Sequence, residues 1–246
     1  MKTTLVVSFL LLILLLCWSD WLSSAAVSGP YTEGSWALQL SGRAPMTIEV
    51  LHPDPLIRCV RGFVSPEEAQ ELIDTYKHLL RPSTVSSSHN HVETSMHDSR
   101  RSSTAYLPPG CAREHPLIRR IEERACALAG KSLKHMETLQ LLRYEGANQF
   151  YKSHFDYFHD KPKSQRTTTI FVYLNDTQGE GATDFPRLKL QVLPETGKAC
   201  IWENCHLLNE DCHCESLLEH AGLPLKSDEK IKYGLNIWFR TGVFRG

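Results

Sequence analysis

The sequence predicts an α+β fold: a double-stranded β-helix, or jelly-roll, core with N-terminal helices packed on the larger sheet. Three observations lead there. Two segments in the first half have the helical period together with helical end signals. From Leu133 onward the pattern changes to short strands, about eight of them, and eight strands in two packed sheets is the jelly-roll solution to exposed edges. Finally, two short stretches far apart in sequence, 151–160 and 220–240, carry residues whose chemistry needs them side by side at one end of such a barrel.

Residues 1–26 hold a single Lys2, an apolar run over 5–18 and the small residues Ser23, Ser24, Ala25 and Ala26, the make-up of a secretory signal peptide. The run is shorter than the ~20 apolar residues of a spanning helix, although Trp21 and Leu22 could lengthen it into a signal anchor. Either way the domain is expected in the secretory pathway, in the lumen of the endoplasmic reticulum. What remains is enough for one domain. The 27 Lys+Arg against 28 Asp+Glu leave no basic patch of the kind nucleic acid requires. Eight cysteines, of which Cys17 lies in the leader, leave an odd seven in a compartment that favours disulfides.

Residues 27–47, with Gly29-Pro30 and Gly42, read as a lead-in or linker, and the domain proper as 48–246. Alternation starts at Ile48, and 57–63 reads as its first strand. Ser65-Pro66-Glu67-Glu68 then sets out a capping box with proline at the first helical position, and Leu72, Ile73, Tyr76, Leu79 and Leu80 form one apolar face ended by Pro82. Residues 83–99 are rich in serine, asparagine and histidine and read as a mobile surface loop, with His89, His91 and His97 solvated. A second amphipathic helix over 116–130 places Leu117, Ile118, Ile121, Ala125 and Leu128 on one face and Gly130 at its end. Residues 48–132 thus make helical support and a lid loop. The jelly roll occupies 133–246, with strands expected at 143–144, around His154, and at 167–174, 183–188, 191–193, 199–203, 216–221 and 230–240.

His154-Phe155-Asp156 carries the chemistry. On an extended strand residues i and i+2 share a face, so His154 and Asp156 project together. With His220 brought back from a distant strand they make the two-His-one-carboxylate set that leaves three positions of an Fe(II) ion open. A lone His-x-Asp is weak evidence. Its company is not: Glu137-Thr-Leu-Gln-Leu-Leu-Arg-Tyr144, Gln149-Phe-Tyr-Lys-Ser-His-Phe-Asp-Tyr-Phe158, Gln165-Arg-Thr-Thr-Thr-Ile-Phe-Val-Tyr-Leu-Asn175 and Gly181-Ala-Thr-Asp-Phe-Pro186 precede His220-Ala-Gly-Leu-Pro-Leu225 and Lys232-Tyr-Gly-Leu-Asn-Ile-Trp-Phe-Arg240. These stretches closely resemble the catalytic domain of the prolyl 4-hydroxylases, Fe(II)- and 2-oxoglutarate-dependent dioxygenases.

The resemblance implies Fe(II) on His154, Asp156 and His220, with 2-oxoglutarate and O2 as co-substrates, L-ascorbate as reductant and a proline-containing peptide or protein as substrate. It implies that Tyr144, Thr183 and a lysine of the last strand hold the far carboxylate of 2-oxoglutarate, where a buried anion needs a cation and donors. Spacing from His220 points to Lys230 and spacing to Trp238 points to Lys232. The longer match favours Lys232, and period two puts both on one face. Arg166 and Trp238 match positions that contact the peptide, and 83–99 the loop that closes over it. Family members include type II membrane proteins and assemblies with a partner subunit, so an N-terminal anchor stays open and a partner subunit is unknown. The turn between Tyr144 and His154 is one residue longer than the family's. The stretch 205–214, with Cys205, Cys212, Cys214, His206 and His213, resembles nothing in it and fits a disulfide, or zinc. Asn175-Asp-Thr177 is a glycosylation sequon. Two other readings stay open: a 2-oxoglutarate oxygenase acting on a non-prolyl substrate, and a non-catalytic jelly-roll binding protein.

Overall fold

Two antiparallel sheets form the body of the computed structural model, which describes residues 35–38, 45–86, 93–95, 99–107, 116–159, 164–208 and 211–245. The leader, His89, His91, His97 and Cys111 lie outside the described residues. The larger sheet runs Ser35–Leu38, Met46–Pro53, Leu56–Arg61, Ala199–Glu203, Arg166–Tyr173, Ile231–Arg240, Leu139–Glu145, Ser103–Leu107 and Arg81–Pro82. The smaller runs Leu190–Val192, Thr183–Phe185, His220–Gly222, Phe150–His154 and Arg100–Arg101. Of the ten strands from Leu139 to Arg240, eight divide four and four between the two sheets, which is the jelly roll expected from the sequence.

Period two gives the central strands of the larger sheet two apolar faces, and each face has its own partner. Outward, Val60, Leu139, Leu141, Ile170, Val172, Ile201, Ile237 and Phe239 join one core with the two helices. Helix α1 (Pro66–Tyr76) buries Ala69, Leu72, Ile73 and Tyr76, and helix α2 (Pro116–Ala129) buries Leu117, Ile118, Ile121, Ala125 and Leu128. The capping box of α1 is formed: Glu68 N–H donates to Ser65 Oγ at 3.1 Å and Ser65 N–H to Glu68 Oε2 at 3.0 Å. The same Glu68 pairs with Arg124 of α2 at 2.6 Å, so the cap also ties the helices together. Inward, Leu142, Tyr144, Phe171, Tyr173, Cys200 and Trp202 meet Phe185, Val192 and Leu218 in a second core between the sheets. The site opens from this inner layer.

Four local readings change. Within 27–47, Ser35–Leu38 pairs antiparallel with the strand Met46–Pro53, because that strand otherwise presents an unpaired edge. Within 83–99, Thr84–Ser86 and Glu93–Ser95 pair as a short hairpin. The strands expected at 183–188 and 216–221 are shorter: Pro186 cannot continue the ladder and opens a 3-10 turn, and a second such turn, Ser216–Leu218, precedes His220. The stretch 205–214 is a hairpin, Cys205–Leu208 against Asp211–Cys214, closed by a Cys205–Cys214 disulfide that removes Cys214 as a zinc ligand. Among the described residues Cys59, Cys126 and Cys200 are free and buried.

Candidate metal centre and co-substrate pocket

The strand Phe150–His154 stops at His154, and Asp156 lies in the bend just past it. The pair is therefore held by a strand end and a bend, where the sequence suggested one straight strand. His220 arrives by sheet pairing, opposite His154 in register. The three side chains offer ligand atoms that all lie within 4.8 Å of one another, the one such group among the described residues.

Each histidine is oriented by its own strand. His154 Nδ1 lies 2.8 Å from the Lys152 carbonyl and His220 Nδ1 2.9 Å from the Leu218 carbonyl. A carbonyl only accepts, so both Nδ1 atoms carry the proton, and both Nε2 lone pairs face the carboxylate. Those Nε2 atoms stand 3.7 and 3.6 Å from Asp156 Oδ1 and Oδ2. Asp156 Oδ2 accepts from Thr169 Oγ1 at 2.8 Å, and Asn204 donates to that hydroxyl at 2.8 Å, a chain that fixes the carboxylate plane. Burial alone would raise the Asp156 carboxyl, but His220, His154 and Arg166 outweigh it and hold it well below the usual range. Burial, then the neighbouring His154, lowers His220 to about 4, so it is a neutral imidazole at pH 7. Two imidazole nitrogens and one carboxylate on one side of a point fit a divalent transition metal with open positions.

The same cavity holds a cation. Lys232 is 1% exposed, yet its Nζ makes one hydrogen bond among the described residues, to the Gly181 carbonyl at 2.7 Å, and lies 4.6 Å over the Tyr144 ring. Burial pushes it down to about 7. Lys230 sits one residue before the strand begins and pairs with Glu180 at 2.8 Å near the surface. Tyr144 and Thr183 line the cavity with Lys232. Burial raises the Tyr144 hydroxyl, against the opposing pull of Arg100 and Ser102. Tyr173 donates to Thr183 Oγ1 at 2.7 Å.

Arg166 and Trp238 are brought together beside Asp156. The guanidinium lies 3.7 Å over the Trp238 ring and its fork is closed on Glu137, at 2.6 and 2.9 Å. Glu137 also takes Arg240 at 2.6 Å. Sequence reasoning missed Glu137, Thr169, Asn204 and Trp202 as parts of the site. The threonine run 167–169 offered the one signal, since strand period puts alternate hydroxyls on opposite faces. The Asn175 amide of the sequon is taken up internally, donating to the Ile231 carbonyl at 2.7 Å and accepting from Tyr233 N–H at 2.6 Å.

Comparison with known proteins points the same way. Residues 139–240 match the model of the 2OG-Fe(II) oxygenase superfamily. The chain is 34% identical over 230 residues to "Probable prolyl 4-hydroxylase 3" of Arabidopsis thaliana, which covers 84% of this chain and 76% of that one. It is 37% identical over 145 residues to Prolyl 4-hydroxylase 1 of the same plant, covering 56% of this chain and 49% of the relative. A relative from Acanthamoeba polyphaga mimivirus is matched over 57% of its length, at 33% identity. The chain thus spans between about half and three quarters of the length of these relatives. Among solved structures, the viral collagen prolyl hydroxylase of Paramecium Bursaria Chlorella virus-1, in its 2OG complex, superposes with a TM-score of 0.59 at 29% identity, covering 76% of this chain and 96% of that one. By sequence, by fold and by the residues of its site, the chain belongs to the prolyl 4-hydroxylase family of Fe(II)- and 2-oxoglutarate-dependent oxygenases.

Proposed function

We propose that the protein hydroxylates peptidyl proline at C4, coupled to oxidative decarboxylation of 2-oxoglutarate. The observation that carries this is the pairing, in one cavity, of a three-ligand metal set with a buried, under-bonded lysine. A metal site alone suits many reactions, and so does a buried cation. Together they suit a dicarboxylate that chelates with one end and needs a counter-charge for the other.

When bound, Fe(II) with 2-oxoglutarate and O2 supplies the oxidation that turns 2-oxoglutarate into succinate and CO2 and delivers a hydroxyl to the substrate. The chain's residues bind and orient. His154, Asp156 and His220 hold the metal, and Thr169 with Asn204 keeps the carboxylate in plane. Lys232 neutralises the far carboxylate, with Tyr144 and Thr183 beside it. Leu142, Phe171 and Trp202 keep water from the pocket walls. Arg166 on Trp238 forms a wall beside Asp156 and is assigned to the peptide. None of these residues acts as a general base. The prolyl substrate draws support from the family and from the named activities of its members. L-ascorbate as reductant and a luminal location in the endoplasmic reticulum are part of the same proposal.

The test is anaerobic addition of Fe(II) and 2-oxoglutarate, then air and a proline-rich peptide, with succinate and peptide mass both followed beside a His154→Ala control. A gain of one oxygen matched by succinate, absent in the control, is expected. Succinate without peptide oxidation would redirect the search to another substrate. No succinate under any condition would leave a binding protein.

A further inference from the structure

The ladder between the strands Arg166–Tyr173 and Ile231–Arg240 outlasts the first of them. Just past its end, Leu174 N–H still donates to the Tyr233 carbonyl at 3.0 Å. One residue further a side chain takes over from the backbone: the Asn175 carboxamide accepts from Tyr233 N–H at 2.6 Å and donates to the Ile231 carbonyl at 2.7 Å. A carboxamide offers the donor and acceptor of a peptide group, so Asn175 adds one more rung. The two backbone groups it holds flank Lys232.

The turn that Asn175 opens grips Lys232 a second time. At its other end the Gly181 carbonyl accepts from Lys232 Nζ at 2.7 Å. Gly181 has φ +64°, and a Cβ there would lie 3.2 Å from Lys232 Cδ and 3.1 Å from Leu225 Cδ2, so the lysine stem runs against a position that glycine leaves open. Between the two, Glu180 pairs with Lys230 at 2.8 Å and accepts from Lys226 N–H at 2.8 Å. An asparagine or aspartate in a turn ordinarily bonds that turn, as Asp176 does by accepting from Gln178 N–H at 2.5 Å. Asn175 instead reaches 56 and 58 residues along the chain. A lysine ammonium sits on a flexible stem, so its place in the cavity follows from where its backbone and the Gly181 carbonyl stand. On the other side of the same strand Lys232 is the cross-strand partner of Tyr144, so two of the residues assigned to the co-substrate hang on this one stretch.

We infer that Asn175 is a positioning residue for the co-substrate: by holding the backbone on both sides of Lys232 it places the ammonium for the far carboxylate of 2-oxoglutarate. This rests on the function proposed above. Asn175 touches neither metal nor co-substrate, and acts through the lysine.

The experiment uses the full chain made in a bacterial host, where the sequon stays unmodified, loaded with Mn(II). Mn(II) and 2-oxoglutarate affinities are measured by calorimetry for wild type, Asn175→Ala, Lys232→Met and the double variant. Asn175→Ala should leave Mn(II) affinity within about twofold of wild type and weaken 2-oxoglutarate about tenfold. In the Lys232→Met background the same substitution should change 2-oxoglutarate affinity by less than about twofold, because a rung that acts through the lysine has nothing left to act through. Equal 2-oxoglutarate affinity in wild type and Asn175→Ala overturns the inference. So does the same fold loss in both backgrounds, or a parallel loss of Mn(II) affinity, either of which makes Asn175 a support of the whole pocket. Should alanine leave the chain unfolded, Asn175→Asp keeps the shape and the acceptor for Tyr233 N–H, deletes the donor to Ile231, and enters the same cycle with the same outcomes. If wild type binds Mn(II) but no 2-oxoglutarate, the proposed function falls and takes this inference with it.

Discussion

Replacing Lys232 with methionine should make the ligand-free protein more stable and the co-substrate bind far less well. The lysine is 1% exposed and burial lowers it from its ordinary 10.5 to about 7. A group that is harder to protonate folded than unfolded destabilises the fold wherever the unfolded chain carries the proton. For this pair of values the penalty is about 4 kcal/mol at pH 7 and falls to about 2 kcal/mol at pH 9, using ~1.4 kcal/mol per pKa unit. Methionine escapes it but leaves the Gly181 carbonyl without its donor, which returns about 1–3 kcal/mol. The sign of the pH dependence is the sharper test. Wild type should gain about 2 kcal/mol on Lys232→Met between pH 7 and pH 9, read from urea unfolding at each pH. Losing the buried counter-charge should weaken 2-oxoglutarate about 100-fold or more. A stability difference that stays flat with pH would refute a neutralised buried lysine, and undiminished 2-oxoglutarate affinity would refute its role.

Other perturbations separate the parts of the site. His154→Ala should weaken Mn(II) binding at least about 100-fold in a metal titration while leaving the melting temperature of the metal-free chain within a few degrees, since one of three ligands is lost from a half-buried position. Glu137→Gln should cost about 3–5 kcal/mol in urea unfolding at pH 7, because Arg166 and Arg240 lose one shared, buried carboxylate. Burial opposes ionisation of Glu137, but the two arginines win and lower its pKa. Its contribution is therefore present above the ordinary glutamate range and lost as pH falls through the folded value, and the variant and wild type should converge in acid. Gly234→Ala would put a Cβ 2.5 Å from the Phe171 ring, which lines the cavity. A loss of about 1–3 kcal/mol together with weaker 2-oxoglutarate binding is expected from that overpacking, and calorimetry beside thermal unfolding checks both.

What was legible in the sequence was what local rules write. Ser65 and Glu68 declare a helix start because both halves of the cap lie within four residues. Leu72 and Ile73, or Leu117, Ile118 and Ile121, declare a buried face because helical period is short-range. His154 and Asp156 stood out through their spacing, though the strand ends between them and a bend finishes the geometry. Lys230 and Lys232 could not be separated by period two. The structure parts them because Lys230 precedes the strand, where Glu180 can reach it, while Lys232 is inside it. Glu137 was illegible because its meaning lies in Arg166, 29 residues away, and Arg240, 103 residues away. The same holds for Thr169 and Asn204, whose partnership is a consequence of cross-strand neighbours 35 residues apart.

The two halves of the cavity differ in a way that bears on how they are filled. The metal half is partly compensated before any ligand arrives: Asp156 has Arg166 and the Thr169 hydroxyl to hold its charge. The co-substrate half is not, because among the described residues Lys232 has one carbonyl and no carboxylate. Folding has placed a cation there that an anion from outside can satisfy. An anionic, oxygen-rich ligand thus gains by relieving strain the fold already carries, and its binding stabilises the native state in proportion to its affinity. Selectivity has the same source. A neutral isostere of the far carboxylate would leave the buried lysine uncompensated, so the fold rejects it at the point where it is least able to adapt.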